Sequence, residues 1–388
     1  MDSLLLSFFV YTFFALAMFV WAKRSCRAVS IRGGTGAIPK GVYKGLLGCI
    51  ILFSLVAGLR YDVGVDHLAY LSDYLQVLRG KDAWRERGIE YGYMLFTQLY
   101  GALGIHPTIY FGSIAAIQLT FFFWPYRKEY AIVPFMMFLL MLGGFFFTWM
   151  NGIRQMVAAC IFVFSIPFIQ NRKFVPFLAC MFLAFLWHQS AIILLPFYLF
   201  AYSKLAWSNR MILFPIFLSC FVLGNTPFWI NNLSNLELIL GVIGYDYYAD
   251  KFNQIMEDSR TLGFGPRMMF TLLQYIMVIY FYPKCRSYYK SSLMDINFKL
   301  FFIGVCGYYL FVNTNHIFLR PIEYFTIFAL PMSAYVITYF YRNRRYFLFF
   351  IFLLASATFT YVSCLSDANV SKYERKSFLY QFYFDNKK

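Results

Sequence analysis

The chain has 388 residues, of which 61% are hydrophobic, 23% aromatic and only 13% charged, against about 25% charged in an ordinary soluble domain. Its apolar residues fall in blocks of 14 to 21 separated by short basic runs, the length that crosses a roughly 30 Å hydrocarbon core as helix. A soluble enzyme is excluded, and the formal charge of +16, from 34 Lys+Arg against 18 Asp+Glu, reads as the basic loops of a membrane protein rather than as a nucleic-acid surface.

Taken in chain order, the blocks predict twelve spans at 4–22, 42–59, 107–124, 131–149, 152–170, 174–187, 189–202, 211–224, 267–283, 298–313, 321–341 and 346–364. The fold class is therefore all-α: one polytopic helical bundle over 1–364, followed by a charged tail at 365–388, expected to be poorly ordered. Lys23 and Arg24 follow the first block rather than precede it, so it reads as a retained span and not a cleaved signal. The three 14-residue segments are short, and require little tilt, local thinning or partial re-entry. The eight cysteines are scattered through apolar blocks without paired or metal-type spacing, as expected of helix fillers.

Alternation of these spans gathers seventeen basic residues on one side, from Lys23 and Arg24 to Arg344 and Arg345, against only Glu129 and Asp295. Such an excess marks the cytoplasmic side. The opposite side receives two larger loops at about 60–106 and 225–266, the first with five basic residues against six acids. Residues 91–105 are apolar enough to span, but a span there would invert Arg127 and Lys128, so a helix lying at the outer surface is expected.

The informative residues break the charge rule. Arg60, Arg154, Arg267 and Arg320 all lie at the outer edge of a span. Singly, each reads as an interfacial snorkelling residue. Four at one depth also suit an anion site, because guanidinium holds phosphate bidentately and stays protonated. All four histidines, His67, His106, His188 and His316, fall on that same side. His188 stands where the apolar stretch Phe174–Tyr202 must turn, and irregular backbone at that depth is tolerated where it is buried in protein or lines a wet cavity. It fits either a cavity-facing residue or a hydrogen-bonded interhelical one. Asp66 fits either a general base or an ion pair with Arg60. Tyr245, Tyr247 and Tyr248 fit an interfacial belt or a sugar-stacking surface. No cluster of carboxylates or histidines suggests a metal, and no cofactor is implied.

Four motifs resemble a known family. Arg60-Tyr-Asp-Val-Gly-Val-Asp66-His-Leu-Ala-Tyr70, Asn151-Gly-Ile-Arg154-Gln155-Met-Val-Ala158, Ala184-Phe-Leu-Trp-His188-Gln-Ser190-Ala191 and Arg320-Pro-Ile-Glu-Tyr324 are similar, in that order over about 42–340, to motifs of the EpsG and Wzy-like bacterial polysaccharide polymerases. His67 departs from the pattern, where an aromatic is more usual.

The resemblance implies a glycosyltransferase that joins polyprenyl-diphosphate-linked repeat units at the outer face of the bacterial inner membrane, in a bundle similar to the GT-C architecture. It also implies a flippase and a chain-length co-polymerase as possible partners. The diphosphate and glycan would be held by Arg60, Tyr70, Arg154, Gln155, Arg267 and Arg320. Arg154 would also stabilise developing charge, and Asp66 or His188 would take the acceptor proton. The alternatives are an O-antigen ligase, which differs in acceptor, and a flippase, for which mid-span ionisable groups or two-half symmetry would be expected.

Overall fold

The computed structural model describes residues 3–30, 40–81, 90–200, 207, 209–226, 229, 265–314, 316–370 and 377–386. Apolar blocks become helices because a backbone in hydrocarbon must satisfy its own hydrogen bonds. In chain order these are α1 (Ser3–Ser30), α2 (Lys40–Gly58), α3 (His67–Leu78), α4 (Tyr91–Ala102), α5 (Pro107–Phe123), α6 (Val133–Leu142), α7 (Phe145–Asn151) and α8 (Ile153–Gln170). There follow α9 (Phe174–Trp187), α10 (Phe197–Phe200), α11 (Arg210–Gly224), α12 (Pro266–Tyr289), α13 (Ser292–Phe311), α14 (His316–Thr326), α15 (Ala329–Arg342) and α16 (Tyr346–Ala368).

Among the described residues, seven helical segments are long and apolar enough to cross a membrane, or eight when a bent pair counts as one. The three 14-residue segments appear as the shorter apolar helices Phe174–Trp187, Gln189–Phe200 and Arg210–Gly224. The expected ninth span falls within α12, 24 residues long. Helix α4 has 12 residues, roughly 18 Å at 1.5 Å per residue, too short to span; it packs on α3 and α9.

The fourth expected span is not one rod. Helices α6 and α7 meet at 67° because Gly143 and Gly144 interrupt the run. Gly144 has φ +82°, a left-handed conformation open to glycine at no steric cost, and an added Cβ would lie 2.1 Å from Phe359.

Burial separates centre from periphery. The Phe318–Arg342 segment is 89% buried and α8 72%, whereas α1 is 28% and α16 33% buried. Helix α8 packs on α5 and α9, α2 on α5, α1 on α6, α12 on α16, and α13 on α14. The bundle is thus built around α8 and the α14–α15 segment, which bring the second and fourth motifs together.

Within the expected tail, α16 continues to Ala368, and residues 377–386 pack as a strap. Its strand β2 (Gln381–Phe382) pairs antiparallel with β1 (Arg60–Tyr61). Tyr380 is fully buried; its hydroxyl donates to Val56 O at 2.8 Å and its amide to Ser7 Oγ at 2.8 Å. The strap also accepts from Gly64 N through Ser377 O at 2.9 Å, so it holds the loop that carries the first motif.

Candidate active site

The four sequence motifs converge. The first meets the second where Asp66 N donates to Asn151 Oδ1 at 3.0 Å. Beside it, Gly64 (φ +91°) presses so close to Met150 that a Cβ would lie 2.9 Å from that carbonyl oxygen. The second meets the fourth through Gln155 Nε2 donating to Arg320 O. The third meets the fourth through the Ser190 and Tyr324 hydroxyls, 3.0 Å apart.

A cavity of about 570 Å³ opens between them, lined by Gly64, Val65, Asp66, Tyr70, Asn151, Gly152, Arg154, Gln155, His188, Arg267, Tyr308, Arg320, Glu323 and Phe378, among others. Its wall includes the start of α8, whose N-cap Gly152 offers no side-chain acceptor. A helix N-terminus is a favourable place for an anion.

At one end lies a three-residue cluster that sequence reasoning missed. Glu90, the N-cap of α4, makes no capping bond. Its Oε2 accepts from Arg154 Nη1 at 2.5 Å and its Oε1 lies 2.6 Å from His188 Nδ1. The carboxylate is 9% exposed, the arginine 27% and the imidazole 19%. Burial pushes the Glu90 carboxyl up, but the His188 hydrogen bond and the Arg154 charge outweigh it and hold the group below the usual carboxylate range. An ionised Glu90 can only accept, so a neutral His188 carries its proton on Nδ1 and leaves Nε2 as the basic nitrogen. Since His188 lines the cavity, that nitrogen is the one available for proton transfer. His188 is reached because the chain breaks where expected: it is the extended residue between α9 and the 3₁₀ turn Gln189–Leu194.

Arg154 stacks above the rings of Tyr93 and Tyr70, 5.5 and 5.9 Å from their centroids. It anchors Glu90 from the opposite side to His188 and is thereby committed to a carboxylate. Arg267 and Arg320 form no ion pair among the described residues. Arg267 donates weakly to Ser363 Oγ at 3.4 Å and lies 5.3 Å over the Phe359 ring. Both guanidinium groups remain available to an anion. Glu323, also not singled out from the sequence, stands on the same wall. Among the described residues no three His, Cys, Asp or Glu side chains cluster as a metal would require.

Arg60 does not line this cavity. It is 1% exposed, its Nη1 and Nε donate to the Ala57 and Val63 carbonyls while Nη2 has no partner among the described residues, and it lies 5.1 Å over the Phe111 ring. It closes the end of α2 rather than meeting a substrate. The alternative pairing of Asp66 with Arg60 does not form, and Asp66 faces the cavity without an ion pair among the described residues. His67 is buried with neither ring nitrogen partnered among the described residues; burial and the Arg60 charge push it down to about 2, so it is neutral. His106 caps α5, accepting from Thr108 N at 3.3 Å. Tyr245, Tyr247, Tyr248, the side chain of His316 and nearly all of the 225–266 loop lie outside the described residues.

Fold and site together define a polytopic helical membrane protein with a polar, arginine-flanked cavity at one end of its bundle. The family model described as EpsG family matches residues 46–382. The chain belongs to the EpsG family, whose membership suggests a polysaccharide polymerase-like membrane protein. Comparison with curated proteins and with solved structures found no match.

Proposed function

We propose that the protein is a polysaccharide polymerase that joins polyprenyl-diphosphate-linked repeat units at the outer face of the bacterial inner membrane. The observation that carries this reading is the Glu90–His188 contact of 2.6 Å facing a cavity whose other wall holds Arg267 and Arg320. An acid-oriented base and an anion site share one polar chamber. The acceptor hydroxyl gives its proton to His188 Nε2 as its oxygen attacks the donor's anomeric carbon. The bond from that carbon to the diphosphate oxygen breaks, and the diphosphate leaves with the electron pair. Glu90 fixes the tautomer and stabilises the imidazolium that forms, while Arg154 positions Glu90. Arg267 and Arg320 meet the charge that develops on the leaving group, where low local dielectric strengthens such contacts. Gln155, Tyr70 and Asp66 line the space between and orient the sugars. No cofactor takes part in this scheme. The basic excess that the sequence assigns to the opposite side supports the outer placement.

The test is reconstitution of the full chain in vesicles with the cell's own lipid-linked repeat unit. Polymer should form with wild-type protein and not with His188→Ala. Failure of the wild type to lengthen this substrate, or full activity of His188→Ala, would overturn the reading.

A further inference from the structure

A second cavity of about 270 Å³ shares Thr148, Arg267, Tyr308, Leu319, Glu323 and Phe359 with the first and continues away from it. Its direction follows from α12. That helix meets the polar cavity at Arg267, its second residue, and lines the second chamber as far as Tyr275. Eight residues of helix are roughly 12 Å, so the chamber runs inward from the outer end of the bundle toward hydrocarbon depth.

Its chemistry changes along the way. Beyond the shared residues the walls are mainly apolar, with Met156, Met268, Ile322 and Ile327 among them. Several of its polar side chains are already turned to protein partners: Thr271 Oγ1 donates to Arg267 O at 2.9 Å, Gln274 Nε2 to Ser333 Oγ at 3.1 Å, and Thr326 Oγ1 to Glu323 O at 3.3 Å. The Tyr309 hydroxyl has no partner among the described residues. A sugar entering here would lose hydration for few replacement bonds, which is unfavourable, whereas a hydrocarbon would gain burial. Arg267 stands at the mouth, where the headgroup of such a hydrocarbon would meet a cation.

We infer that this inner chamber is a receptor for the first isoprene units of the lipid carrier, entered past Arg267, so that the diphosphate is seated at the junction and the glycan alone lies in the polar cavity. This rests on the polymerase reading and assigns its substrate a direction. The carrier is recognised by its proximal hydrocarbon as well as its diphosphate, and the reacting carbon is held toward the Glu90–His188 end.

The experiment compares one glycan on two carriers, a long polyprenyl diphosphate and a methyl diphosphate, an alkyl carrier with no hydrocarbon chain to enter the chamber, using reconstituted full-length protein. Thr271→Trp fills the chamber without touching Glu90, His188 or Arg320. It should raise KM for the polyprenyl donor by at least about tenfold and shift KM for the alkyl donor by less than about twofold. Equal effects on both donors, or none on either, would overturn the inference. Should Thr271→Trp fail to fold, wild-type protein decides the matter. A polyprenyl diphosphate bearing a photoreactive group on its first isoprene should label a peptide from residues 266–289 or 316–328, and labelling confined to other peptides refutes the chamber. A wild type that polymerises neither donor defeats the polymerase reading; one that polymerises but labels elsewhere defeats only this inference.

Discussion

Glu90→Gln removes the negative charge that both Arg154 and His188 address while keeping the side chain's size. The amide can still accept one bond but no longer stabilises an imidazolium or enforces the Nδ1 proton. A hydrogen bond to a charged group is worth about 1.5–3 kcal/mol, and each 1.36 kcal/mol is tenfold in rate, so polymerisation should slow by roughly ten- to 150-fold. His188→Ala should cost about 10²–10⁴-fold, the usual reach of a general base. Because Glu90 acts through His188, the double variant should be no slower than His188→Ala alone. The assay is the initial rate of glycan lengthening by purified, reconstituted protein, with insertion and monodispersity checked for each variant. Full activity in Glu90→Gln, or losses that multiply in the double variant, would refute the dyad. The same variant carries a pH signature. Glu90 is held below its ordinary range when folded, so its contribution to stability is present above the unfolded value of about 4.3 and is lost as pH falls through the depressed folded value. Wild type should therefore melt above Glu90→Gln at neutral pH, and the gap should close only on acidification below about 4.3.

Arg267→Lys keeps the charge at the cavity wall but loses the planar fork, so KM for the lipid-linked donor and the inhibition constant of free diphosphate should both rise, by roughly ten- to 150-fold if one charged hydrogen bond is lost; unchanged diphosphate inhibition would remove Arg267 from the anion site. Tyr380→Phe leaves the Val56 carbonyl unpartnered beneath the strap and should lower stability by about 1–3 kcal/mol, read as a drop in melting temperature, and an unshifted melting curve would show that the strap contributes nothing. Single cysteines at Asp82 and Asp258 in a background without native thiols should react with an impermeant reagent on intact cells, and ones at Arg32 and Arg344 should not; labelling at Arg32 would invert the orientation.

The helices were legible because hydropathy is local: a run of apolar residues announces its own need for internal hydrogen bonds. The kink between α6 and α7 was not, since two glycines inside an apolar run leave its hydropathy high while freeing its backbone. The position of His188 could be read from the turn that the 174–202 stretch had to make. Its partner could not, because Glu90 lies 98 residues away from it and 64 from Arg154. No periodicity links such positions, and the one available signal was an acid standing just ahead of the apolar block at 91–105. Arg60 shows the converse failure. An arginine at the end of a span looks the same in sequence whether it faces a cavity or closes a helix on carbonyls, and here it does the second. The strap at 377–386 was hidden because a two-residue strand and one buried tyrosine make no pattern of their own. Only the first motif's loop, against which they pack, gives them a place.

The most direct measurement is the length distribution of lipid-linked glycan in cells lacking this chain, complemented by wild type or by His188→Ala. The account predicts that the ladder collapses to a single repeat unit, is restored by wild type and stays collapsed with His188→Ala at normal protein level. A ladder that persists without the chain, long glycan that accumulates unattached to its final acceptor, or repeat units trapped at the inner face would each contradict it.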